Sequence, residues 1–147
     1  MSLLQGEYVP STEGWVREQV EAYEASGGAR ANTLRGGTDP IVVITSIGAK
    51  SGLLRKNPLM RVERDGKYLA VASKGGAPQN PIWYHNFLAN PIVELQDGPE
   101  PKLYRARLLE GAEREDWWAH AVATWSTYAS YQAKTDREIP IFLLEEI

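Results

Sequence analysis

Two Asp-Gly steps constrain the fold of this chain more than any other feature. Asp65-Gly66 lies within "PLMRVERDGKYLAVAS" and Asp97-Gly98 within "IVELQDGPEPKLYRARLLE", each between runs of strand-forming residues. Asp-Gly accepts the positive φ angles of a tight hairpin turn, so each step predicts two antiparallel neighbours. Pro99 and Pro101 enlarge the second turn. Strands joined in this way exclude a doubly wound parallel sheet. The β-branched run "IVVIT" at 41–45 adds a buried strand. A last strand, "IPIFLLEE" at 139–146, must keep Pro140 at its start or on an edge. About six strands can curl into a small barrel with helices at its side.

Three segments read as helices. Residues 13–26 place Trp15, Val16, Val20 and Tyr23 on one apolar face and end at Gly27-Gly28. "IWYHNFLAN" at 82–90 suits a short helix. Residues 112–133 read as the longest helix, with a stripe of Trp118, Ala121, Val122, Trp125 and Ala129 flanked by Trp117, Tyr128 and Tyr131. The expected architecture is α+β, mostly antiparallel, with residues 1–30 as a helical extension and 31–147 as a single barrel domain.

Composition narrows the chemistry. The chain has 147 residues, enough for one core. Without cysteine it has no disulfide, thiolate nucleophile or cysteine-bound metal. No apolar run is long enough to span a membrane, and no basic region with an apolar core opens the chain, so a cytoplasmic location is expected. A net charge of −3 argues against nucleic-acid binding. Against that background, residues 50–74 carry seven basic side chains and two acids. Such a local positive field suits a small anionic ligand; a solvated strand face is the competing explanation.

Two loops could hold that anion. "GAKSG" follows the strand at 41–45, and its backbone N–H groups, Lys50, the Ser51 hydroxyl and the Arg55 fork are suitable donors. It matches neither a Walker loop nor a dinucleotide fingerprint, and a plain polar turn accounts for it equally well. In "ASKGGAPQNP", Ser73 and Lys74 stand before Gly75 and Gly76, which permit backbone geometry that other residues resist. Five tryptophans and seven tyrosines against two phenylalanines favour rings that offer both a face and a donor, although an aromatic stripe is more often core. His85 and His120 lack metal-site spacing, so no metal is expected, and no GxSxG string marks a serine hydrolase. Glu113, Glu115 and Asp116 suit the start of a helix without any catalytic role. An anion site beside aromatics, with no evident nucleophile, metal or base, fits cofactor chemistry.

The strings "TSIGAKSG", "RKNPLM", "RDGKYLAVASKGGAPQNPIWYHNFLANP" and "YASYQAKTDREIP" resemble the deazaflavin-dependent nitroreductases of actinobacteria. These are small split β-barrel proteins related to flavin mononucleotide-binding oxidoreductases. The resemblance implies coenzyme F420, a deazaflavin with a phospholactyl and oligoglutamate tail, as hydride donor to a quinone, enone or nitroheterocyclic acceptor. It implies Lys50, Ser51 and Arg55 at the phosphate and tail, with Lys56 and Pro58 in the adjoining strand. Ser73, Lys74 and Gly75 are implied beside the ring, with Trp83 walling the pocket. The resemblance implies Tyr128 and Tyr131 at the border of the ring and the substrate space; with no histidine or acid evidently placed for the task, Tyr128, Tyr131 and Ser73 are the candidate hydrogen-bond donors, with Tyr128 expected to matter more than Tyr131. Where relatives often carry Arg, Gln/Arg-Pro, an aromatic and Tyr, this chain has Ala49, Leu53-Leu54, Met60 and Trp125. Flavin mononucleotide as cofactor, or a non-catalytic deazaflavin carrier, are the alternatives. Monomer or homodimer stays open, as does peripheral contact with the inner face of the cell membrane.

Overall fold

The structure is a computed structural model that describes residues 3–147. Helix α1 (Gly14–Ala25) precedes strands β1 (Ile41–Ile47), β2 (Leu54–Met60), β3 (Glu63–Arg64) and β4 (Lys67–Val71). Helix α2 (Ile82–Ala89), strands β5 (Ile92–Gln96) and β6 (Pro101–Leu108), helices α3 (Gly111–Thr124) and α4 (Thr127–Ala133) and strand β7 (Ile141–Glu146) follow. The seven strands form one sheet in the order β2-β1-β5-β6-β7-β4-β3, antiparallel at every pairing.

Connectivity forces the sheet to curl. β2 lies on one edge and β3 on the other, yet only Arg61 and Val62 separate them in sequence. Three Cα steps reach at most about 11 Å, so the two edges must approach each other. The Val62 carbonyl then accepts from Leu69 N–H at 2.9 Å, drawing this crossing onto β4. The expected barrel-like antiparallel sheet is therefore present, as a curled half-barrel of seven strands with four flanking helices.

The Asp97-Gly98 hairpin forms as expected, pairing β5 with β6 from Gln96↔Pro101 onwards. The Asp65-Gly66 turn also forms, with φ of 55° and 78°, but its ladder holds only Glu63↔Tyr68 and Arg64↔Lys67. The run before it does not pair with β4. It becomes β2 and pairs with β1 over seven residue pairs, so "GAKSG" is itself the turn of the longer hairpin.

Burial explains each layer. Val42 and Ile44 point into the barrel with Phe87, Val93 and Phe142, while Ile41 and Val43 lie under α1. A strand covered on both faces needs an unbroken apolar run, which β1 supplies. A twelve-residue helix is marginal alone. Burying Val16, Val20 and Tyr23 against β1 stabilises α1 by roughly 1.5–3 kcal/mol per side chain. The segment expected as an extension is thus packed onto the sheet.

The single long helix expected at 112–133 is two helices. Trp125 adopts an extended backbone (φ −147°, ψ 99°) between α3 and α4. Thr124, Ser126 and Thr127 are weak helix formers, and the Thr124 hydroxyl bonds back to His120 O at 2.9 Å. The break sets the Trp125 ring edge-on to Tyr128 (5.1 Å) and Tyr131 (5.7 Å). It also ends the predicted stripe: Trp117 and Ala121 are the buried positions of α3, and Ala129 is exposed. Among the described residues, no helix is long and apolar enough to cross a membrane.

Candidate functional site

A cleft of about 420 Å³ runs along β2, the edge strand of the sheet. Its walls come from three places. β2 contributes Arg55, Lys56 and Pro58; the N-terminal segment contributes Val9 and the start of α1 contributes Trp15; Lys74, Trp83 and Asn86 close it from the far side. Five of the residues predicted for the cofactor, Arg55, Lys56, Pro58, Lys74 and Trp83, therefore meet around one space.

The N-terminal segment reaches the cleft because it extends the sheet. Leu54 N–H donates to Glu7 O (2.7 Å), and Val9 N–H donates to Leu54 O (3.1 Å). Arg55 Nη1 donates to Val9 O at 3.2 Å. Lys56 pairs with Glu24 of α1, beneath the ring of Tyr8. Burial, then the nearby Glu24 and Glu21 carboxylates, pushes the Tyr8 phenol up from its ordinary value.

The "GAKSG" turn is tightly closed. Gly48 N–H donates to Leu53 O (2.8 Å), and Gly52 N–H donates to Gly48 O (3.0 Å). Ser51 Oγ accepts from Leu53 N–H at 3.1 Å. It would lie 2.6 Å from a Cβ at position 48, so a side chain there would displace the hydroxyl from this bond. Ala49 N–H donates to Oδ1 of the buried Asn86 at 2.9 Å, which ties this turn to α2. Lys50 and Ser51 are exposed on the hairpin tip and do not line the cleft.

The second loop forms a single 3-10 turn, Lys74–Gly76, in which Lys74, Gly75 and Gly76 all have positive φ. Ser73 is buried beside it. A Cβ on Gly76 would meet Tyr131 O at 2.6 Å, so the missing side chain allows α4 to dock on the turn. Neither Tyr128 nor Tyr131 lines the cleft. Tyr131 is half-buried with the Lys134 ammonium 5.5 Å above its ring. Tyr128 is 4% exposed among Trp118 and Trp125, and burial, reinforced by Tyr131, pushes its phenol up.

The sequence pattern of the F420H2-dependent quinone reductase family matches residues 15–146. This chain belongs to that family. A Mycobacterium tuberculosis F420H2-dependent quinone reductase is 34% identical over 111 residues, 74% of either chain. A solved F420H2-dependent reductase is 57% identical and covers 72% of this chain and 94% of its own, with a TM-score of 0.69. Another solved relative, a domain-swapped dimer, is 51% identical over 92% of this chain and 100% of its own, with a TM-score of 0.72. The deazaflavin resemblance read from "ASKGGAPQNPIWYHN" and "TDREIP" is thereby borne out.

Three residues of this quinone-reductase family member make contacts at or near the cleft that the sequence does not signal. Asn86 looked like an ordinary helix residue, but it bonds the hairpin turn. Glu24 is one of four glutamates between residues 13 and 24, and it pairs with Lys56. Arg137 sits in the recognisable string "TDREIP" without an assigned role. Its guanidinium reaches across the chain to the loop at 72–80. Burial pushes it down from its ordinary value.

Proposed function

We propose that this protein transfers a hydride from reduced coenzyme F420 to a quinone. The supporting observation is the cleft that joins the cations Arg55, Lys56 and Lys74 to the indole of Trp83, in a chain of this family. The residues fit the coenzyme: three cations suit a phosphate and carboxylate tail, and the volume lies within the range of small-molecule sites. The bound coenzyme supplies the hydride.

The chain's own residues bind and orient. Arg55 and Lys74 hold the phosphate, and Lys50 and Ser51 on the hairpin tip carry the anion path outwards. Pro58 and Trp83 shape the ring site, with Ser73 and Gly75 at the loop behind Lys74. Hydride arrival at one end of a quinone leaves negative charge on oxygen, and a fixed hydrogen-bond donor stabilises it. Tyr131 is the leading donor. A phenol O–H can donate such a bond. Its half-exposed position leaves it accessible, whereas Tyr128 is sealed in the aromatic cluster. This reading puts Tyr131 ahead of Tyr128, the opposite of the order expected from sequence, and the burial of Tyr128 supports it. Ser73 is the second donor.

Titration with the oxidised coenzyme by fluorescence, followed by oxidation of the reduced coenzyme with menadione, tests this reading. Saturable micromolar binding and turnover are expected. Tight flavin mononucleotide binding in its place would assign the chain to the flavin class. Coenzyme binding without turnover on any quinone would make it a carrier. Light scattering would show whether the exchanged dimer of the half-identical relative also forms here.

A further inference from the structure

We propose that Arg137 is the positioning residue of the cleft, clamping the loop that presents Lys74 and joining it to the helix that carries Tyr131. This rests on the coenzyme reading above and assigns a role to a residue outside the cleft wall.

The geometry is specific. Arg137 Nη2 donates to Ser73 O (2.7 Å), Nη1 to Ala72 O (3.1 Å) and to Asn80 Oδ1 (2.8 Å), and Nε to Ala77 O (2.9 Å). One guanidinium thus gathers acceptors from both ends of the loop containing the Lys74–Gly76 turn. Among the described residues it forms no ion pair, so its fork serves the backbone and not a carboxylate. The arginine is itself held. Gln132 on α4 donates Nε2 to Arg137 O (2.8 Å) and accepts from Ile139 N–H (2.9 Å). Arg137 N–H is held by Thr135 Oγ1 at 3.3 Å. Gly76 completes the arrangement by close approach to Tyr131. Loop and α4 are therefore fixed to each other from two sides.

Three carbonyls and an amide oxygen converge on one point, and without a cation there they repel and lose their donors. The loop must then open, and Lys74, at φ 45°, loses the conformation that aims it. Lysine keeps the charge but cannot form the planar fork, so it restores the clamp only in part.

The test compares wild type, R137K and R137Q well below their unfolding temperatures. Hydrogen exchange of ligand-free protein at residues 72–80 is measured beside exchange in β1–β2. The Kd of coenzyme F420 and menadione kinetics are measured on the same samples. R137Q is expected to speed exchange at 72–80 but not in β1–β2. It should lower kcat/KM on the order of 100-fold, because a small misplacement of a binding group has that effect. R137K should fall between. Unchanged loop exchange and coenzyme Kd in folded R137Q would overturn the proposal, as would loosening spread evenly over the sheet. If R137Q does not fold, R137K decides by the same measurements. If wild type fails to bind the coenzyme, the functional reading falls, while the ligand-free exchange still judges the clamp.

Discussion

Glu24 on α1 pairs with Lys56 on β2, and the lysine side chain is only 8% exposed, with the Tyr8 ring 5.1 Å from its ammonium. A cation predicted to hold the cofactor's tail thus already has an internal counter-ion. Glu24→Gln should strip that charge and leave the ammonium under-paired, costing about 1–3 kcal/mol in urea unfolding. The same variant should bind the anionic coenzyme more tightly, because nothing then competes for Lys56. A lower affinity in E24Q would show that the pair organises the cleft and does not compete for it.

Lys74 is exposed at the cleft and makes no ion pair among the described residues. Lys74→Ala should leave the unfolding temperature unchanged. A hydrogen bond to a charged group is worth about 1.5–3 kcal/mol, so the coenzyme Kd should rise tenfold or more. Raising salt should weaken wild type more than the variant, since exposed ionic contacts are screened. Fluorescence titration at two ionic strengths reads both effects.

Gly76 has φ 81° and no room for a Cβ against Tyr131 O. Gly76→Ala combines backbone strain of about 1–3 kcal/mol with displacement of α4. The expected signature is a lower unfolding temperature together with a changed tryptophan spectrum, because Trp125 packs on Tyr128 and Tyr131. Gly75→Ala meets no atom and should show the strain without the spectral change.

Alkaline unfolding should report the buried phenols. Burial raises Tyr128 above its ordinary value of 10.0. Tyr68 is raised too, first by burial and then by its bond to Asp97. A raised acid keeps its proton in the folded state while the unfolded chain loses it. Their contribution is complete below about pH 10 and declines as pH rises from there towards the folded values. Each such group adds up to about 1.4 kcal/mol per pH unit to the slope. Tyr128→Phe should remove one such increment, measured as unfolding free energy between pH 9 and 11.

Local signals determined the elements. The Asp-Gly steps and the doubly buried β1 run identified an antiparallel sheet, because turn sterics and side-chain alternation act over a few residues. The strings around Ser73–Lys74 and "TDREIP" identified the family, and five of the predicted cofactor residues do surround one cleft. Tertiary structure alone decided which strands became neighbours. β2 had the composition to pair across Asp65-Gly66, but the barrel gave it β1, whose inner residues needed covering. It also decided what each charge faces. Lys56 meets Glu24 and Arg137 meets three loop carbonyls only because segments 32 and up to 65 residues apart fold together. No short-range pattern encodes such a contact: the energy of a buried polar group depends on the partner that packing brings to it.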